Sequence, residues 1–144
     1  MRTLFDSSAL VAAFVEAHPK HISAISWLKR AKNKEIEYFV SAHSLAEVYS
    51  VLTSAPFKPR ISPATAKKLI EQNIRREAKV VSLSEKEYFR IIDNMEKLGL
   101  KGGIVYDAII VECARKSKSE GIITSNVKDF VRLIPDDSIK IIAL

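Results

Sequence analysis

The sequence predicts an α/β protein with a three-layer α/β/α arrangement around a parallel sheet. Three observations carry this reading. Short runs rich in β-branched and aromatic residues recur at 3–5, 36–40, 80–83, 122–124 and 139–143. The segments between them have helical apolar spacing, as crossovers between parallel strands require. At 144 residues the chain is long enough for one full core and too short for two comfortable ones, so residues 1–144 are read as a single domain.

Taken in order, Thr3-Leu4-Phe5 reads as a short buried strand, ended by Asp6-Ser7-Ser8, residue types that favour helix N-caps. Residues 9–14 continue as a helical turn or two. After His18-Pro19, Ile22, Ile25, Trp27 and Leu28 recur at helical spacing up to the basic stretch near Lys34. Residues 36–40 form the second strand, and Ser41 is placed to cap a helix carrying Leu45, Val48, Tyr49 and Leu52. The proline-rich stretch 55–63 is a loop. Residues 64–78 read as a helix with Leu69 and Ile74 inward, and 80–83 as the third strand.

Ser84 and Glu87 have the spacing of a capping box, and Phe89, Ile92, Met95 and Leu98 give the next helix its apolar stripe. Gly99 suits its C-cap, with Gly102-Gly103 in the following loop. Residues 104–117 form the most apolar helix, predicted to be central and buried. The fourth strand is 122–124, followed by a short helix at 127–134 and a last strand at 139–143. In that short helix Asn126 is read as the N-cap and Asp129 as N3, where its carboxylate reaches back to the cap.

Composition narrows the function classes. No apolar run approaches the roughly 20 residues of a membrane span, and the N-terminus lacks the pattern of a signal peptide. The only cysteine, Cys113, has no partner for an internal disulfide, which fits a cytoplasmic protein, and excludes zinc sites built on Cys pairs. There is no GxGxxG, no GK[ST] loop and no GxSxG elbow. A net charge of +6 leans towards a polyanionic partner such as nucleic acid rather than a membrane.

In an open parallel sheet, sites form outside the carboxyl ends of the strands. Asp6 follows the first strand, and Thr124, Ser125, Asn126 and Asp129 follow the fourth. Glu47 lies in the second turn of the helix after the second strand, and Asp107 in the first turn of the most apolar helix. Each has a plain structural reading: Asp6 as a cap, Glu47 as an exposed face residue, Asp107 as an acid favouring the helix dipole. The dipole is worth about 0.3–1 kcal/mol, less than an unpaired carboxylate costs in so apolar a helix. Asp107 is therefore the acid least comfortable as a structural residue. A set of carboxylates without His or Cys selects a hard cation, Mg²⁺ or Mn²⁺, and suits phosphodiester hydrolysis. His43 lies one turn before Glu47 and is read as a helix-start residue, and Cys113 as an inert core thiol.

The stretches LFDSSALVAAF, SLAEVYSVL, YDAIIVECAR and ITSNVKDF, in this order, resemble the PIN-domain ribonucleases, particularly the small toxins of VapC type. The resemblance runs through essentially the whole chain. It implies a five-stranded parallel sheet between helices and a Mg²⁺- or Mn²⁺-dependent endoribonuclease. It places the metal on Asp6, Glu47 and Asp107. Asn126 stands where the family usually has an acid, Asp129 matches the acid three residues on, and Ser8 and Thr124 match supporting hydroxyl residues. It also implies RNA as substrate, a homodimer and a cognate antitoxin protein. Two other readings share the resemblance: a PIN nuclease of RNA processing without an antitoxin, and a non-catalytic module binding RNA or protein. A phosphoaspartyl receiver is disfavoured because Asp6-Ser7-Ser8 lacks an acid pair.

Overall fold

The computed structural model describes residues 1–144 and contains a five-stranded, all-parallel sheet in the order β3-β2-β1-β4-β5. The strands are β1 (Arg2–Phe5), β2 (Glu37–Ser41), β3 (Lys79–Val81), β4 (Gly121–Thr124) and β5 (Lys140–Ala143). The helices are α1 (Ser7–Phe14), α2 (His21–Lys32), α3 (Ala42–Ser54), α4 (Pro63–Ile70), α5 (Glu85–Leu98), α6 (Ile104–Lys116) and α7 (Val127–Leu133).

Strand side chains alternate between two cores, as the pleat dictates. Phe5, Tyr38, Val40 and Ile123 point into one, under α1 to α4. Leu4, Phe39 and Ile122 point into the other, under α5 to α7. The sheet is covered on both faces, so its central strands bury apolar side chains on both sides, and this gives the three layers the sequence predicts. No helix is long and apolar enough to cross a membrane.

Local signals explain the element ends. Ser41 accepts from the His43 N–H at the start of α3, and Ser62 accepts from the Thr65 N–H at the start of α4. Ser84 and Glu87 form the complete capping box of α5, and Gly99 ends that helix at φ +64°, where a side chain would be strained.

Three expectations are corrected. The helix expected at 64–78 is broken: α4 ends at Ile70 and a π-helical turn, Glu71–Arg75, follows. There the Asn73 side chain donates to the Leu69 carbonyl at 2.8 Å, bonding a carbonyl that a regular helix reserves for the Asn73 backbone. Ile22, counted among the apolar positions of α2, is 84% exposed, while Leu28, also counted, is buried together with Ala24 and Ala31. In α5 only Met95 of the expected stripe faces inward. Ile91 and Met95 are buried, while Phe89, Ile92 and Leu98 face solvent.

Candidate functional site

The sheet order runs outwards from β1 through β2 to β3 on one side, and through β4 to β5 on the other. The reversal lies between β1 and β4, and the crevice at their carboxyl ends is where an open α/β sheet accepts ligands. Asp6 leaves β1 there, its N–H still bonded to the Ile123 carbonyl at 3.0 Å. Thr124 ends β4 directly beside it.

Asp6 is buried, and although it occupies the N-cap position of α1 its side chain makes no cap bond. Its Oδ2 instead accepts from Ser8 Oγ and from Thr124 Oγ1, both at 2.8 Å. Ser8 Oγ in turn accepts from the Ser125 N–H at 3.1 Å, and Thr124 Oγ1 from the Asn126 N–H at 2.9 Å. The two strand ends and the loop after β4 are thus joined through one carboxylate. Burial raises the Asp6 carboxyl above its ordinary range, opposed by the Ser8 and Thr124 hydrogen bonds.

Glu47 reaches the crevice from the second turn of α3. Its Oε1 accepts from Ser7 Oγ at 3.0 Å and lies 3.4 Å from His43 Nε2. His43 begins α3 as expected, but its side chain turns to Glu47 and stacks on Tyr106 of α6, with centroids 5.4 Å apart. Asp107 enters from the first turn of α6. Asp6, Glu47 and Asp107 line one pocket together with Ser7, Ser8 and Asn126. The carboxylates share this pocket without closing on a point: no three His, Cys, Asp or Glu side chains stand as a group that could hold a metal ion. Facing carboxylates repel and are brought together only by protons or a cation.

Asp107 is the electrostatic outlier. It is half-buried, and its carboxyl is pushed up to about 7, first by burial and then by the charges of Asp6, Asp129 and Glu47. No hydrogen-bond donor offsets this. An oxygen-only donor set with an undonated, half-buried carboxylate fits a hard cation.

A measurable consequence follows from linkage. A carboxyl that binds its proton more tightly in the folded state favours folding at low pH. Its contribution is complete below the ordinary value of 3.8 and is lost as pH rises through about 7. With discounting for solvent screening at this half-exposed position, the effect is about 1–2 kcal/mol. Asp107→Asn should therefore raise the denaturation midpoint at about pH 8 in EDTA and flatten its decline between about pH 4 and 7. An unchanged pH profile in the variant would show that Asp107 titrates normally.

Asn126 departs from the sequence reading. It holds the N-cap position of α7 but makes no side-chain cap bond. Its Nδ2 donates to Asp129 Oδ2 at 2.9 Å, so Asp129 reaches back to the side-chain amide of the cap rather than to its backbone. Asp129 lies within 4.0 Å of Arg132 and is not among the pocket-lining residues. Cys113 is buried in the second core, and burial pushes its thiol up.

Two contributors were not legible in the sequence. Ser7, read with its neighbours as cap chemistry, positions Glu47 and bonds Ser44 Oγ at 2.9 Å. His18, from the turn between α1 and α2, lines the acidic pocket, with its Nδ1 accepting from the Lys20 N–H at 3.1 Å. The cue for Ser7 was its place beside Asp6 at a strand end; nothing in the spacing points to His18.

The chain has clear relatives. A family model described as PIN domain matches residues 3–133. Ribonuclease VapC27 of Mycobacterium tuberculosis (strain ATCC 25618 / H37Rv) is 28% identical over 115 residues, covering 80% of this chain and 78% of its own. Ribonuclease VapC40 of Mycobacterium tuberculosis (strain CDC 1551 / Oshkosh) is 30% identical over 105 residues, covering 73% and 72%. Among solved structures, VapBC2 from Rickettsia felis, bound to a DNA fragment from its promoter, superposes with a TM-score of 0.68 at 20% identity, over 100% of this chain and 99% of that one. Mycobacterium tuberculosis VapC20, a sarcin-ricin loop cleaving toxin, gives 0.65 at 14% identity, over 83% and 86%. The family match runs from the strand that delivers Asp6 to the helix that follows Asn126, and the chain belongs to the PIN-domain family.

Proposed function

We propose that the chain is a metal-dependent endoribonuclease that hydrolyses RNA phosphodiester bonds, acting as the toxin of a type II toxin–antitoxin pair. The observation that carries this is the meeting of Asp6, Glu47 and Asp107 in one pocket at the β1–β4 crevice, with Asp107 undonated and its proton affinity raised first by burial and then by the acids around it. Relatives named as ribonucleases support RNA as substrate. Structural neighbours solved as VapBC, from Rickettsia felis and nontypeable Haemophilus influenzae, support a cognate antitoxin protein as partner.

In this reading Asp6, Glu47 and Asp107 hold Mg²⁺ or Mn²⁺. Such a cation supplies Lewis-acid chemistry, lowering the pKa of water and neutralising charge on the attacked phosphate. The remaining residues position groups. Ser8 and Thr124 fix Asp6, Ser7 fixes Glu47, and Asn126, held by Asp129, offers its amide at the pocket wall to orient a substrate oxygen. Lysines and arginines give the chain its +6 charge, so RNA binding should weaken with added salt. The exposed Phe89 and Ile92 of α5 support burial against a second copy in a homodimer.

The direct test is cleavage of single-stranded RNA by purified protein. Cleavage should need Mg²⁺ or Mn²⁺, and equal cleavage in excess EDTA would sink the metal reading. The missing acid at position 126 gives a second expectation. Asn126→Asp replaces a donor to Asp129 by a like charge, and should cost about 1 kcal/mol of stability in EDTA. Cleavage with Mg²⁺ should persist, because the three other acids remain. Parallel unfolding curves with and without Mg²⁺ check this, and the deficit should shrink when the cation is added.

A further inference from the structure

We propose that Tyr106, backed by His43, is a platform on which an unpaired nucleobase of the substrate stacks beside the acidic pocket. This rests on the ribonuclease reading and adds to it the residue that would grip a base of the single strand.

Tyr106 stands in the first turn of α6, one residue before Asp107. Its ring lies parallel to that of His43, with centroids 5.4 Å apart and an interplanar angle of 2°. That is the offset-stacked geometry aromatic pairs prefer. His43 is held in turn at 3.4 Å from Glu47 Oε1. The two rings are therefore tied to two pocket carboxylates: His43 by contact with Glu47, Tyr106 by chain adjacency to Asp107.

Packing does not account for the pair. Neither ring belongs to either hydrophobic core, and α6 is already anchored by Ile104, Ala108, Ile109 and Val111. Tyr106 remains 52% exposed even with His43 stacked against it. A half-exposed aromatic ring can take an uncharged base, whereas the phosphate, which the neighbouring carboxylates repel, needs the pocket's cation and donors. Bases stack on aromatic side chains with little sequence preference, because every base has a π-face. In a duplex those faces are covered by neighbouring bases, so the platform selects unpaired strands.

The test uses full-length protein carrying Asp6→Asn to prevent cleavage, in Mg²⁺ buffer, with a short single-stranded oligoribonucleotide containing 2-aminopurine. Stacking on protein quenches this fluorophore, and titration gives the affinity. The parent should bind with quenching, and Tyr106→Phe should match it. Tyr106→Ala should lose the quenching and bind about tenfold more weakly, with an unchanged far-UV spectrum. Equal quenching and affinity in Tyr106→Ala, or no binding by the parent, would overturn the proposal. If the parent binds with Tyr106-dependent quenching but protein with Asp6 intact cleaves no RNA in Mg²⁺ or Mn²⁺, the stacking site stands and the ribonuclease reading fails.

Discussion

Asp6→Asn and Asp107→Asn should each reduce RNA cleavage by roughly 10²-fold or more, since each removes a charge from the proposed cation site. Their structural consequences should differ. Asp6 is the hub between Ser8 and Thr124, accepting both at Oδ2. An asparagine oxygen can still accept those bonds, so the fold should persist with a weakened junction between the ends of β1 and β4. Asp107 accepts no hydrogen bond and is pressed by three other acids. Its neutralisation should leave the protein as stable or more stable while activity falls. Measuring cleavage and unfolding on the same preparations separates the two effects. Full activity in both variants would remove the mechanism.

Phe130→Ala should destabilise the protein by about 3–5 kcal/mol, the usual cost of emptying a core aromatic site. Phe130 is fully buried and is the anchor of α7 in the second core, where Ile110, Ala114, Ile122 and Leu133 also lie. The helix has only seven residues, too few to persist without packing. Losing Phe130 should therefore release the segment carrying Asn126 and Asp129 as well as lowering global stability. Denaturant titration gives the first effect. Hydrogen exchange at Val127–Leu133, faster than the global change requires, gives the second.

The sheet and the polar ends of β1 and β4 were legible because they depend on local, strongly patterned residues. Asp6 and Thr124 follow apolar runs, and parallel topology then places them at one edge. Asp107 was legible by its misfit, an acid in the most apolar helix. Phase was not legible where several apolar residues share a helix. In α5, Phe89 and Ile92 compete with Ile91 and Met95 for the inward face, and tertiary packing selects the latter pair. Residues 64–78 showed helical period throughout, yet one amide, Asn73, coincides with the break after Ile70. His43 and Glu47 are i, i+4 neighbours on α3, which the spacing gives, but the Ser7–Glu47 and His43–Tyr106 contacts join α1 to α3 and α3 to α6, which no spacing in the chain encodes. Spacing alone therefore marks Ser7 as cap chemistry and His43 as a helix start, and gives no sign of the Tyr106 stack.

Binding of Mn²⁺ measured by titration calorimetry tests the central claim most directly, because it asks whether the acidic pocket is a cation site without involving RNA. Wild-type protein should bind Mn²⁺ and release roughly half a proton per cation near pH 7, drawn from the carboxyl of Asp107 that titrates at about 7. Comparing buffers of different ionisation enthalpy reads that proton. Asp6→Asn should bind much more weakly, and Asp107→Asn should lose both affinity and the released proton. No binding by the wild type, or equal binding in both variants, would contradict the account.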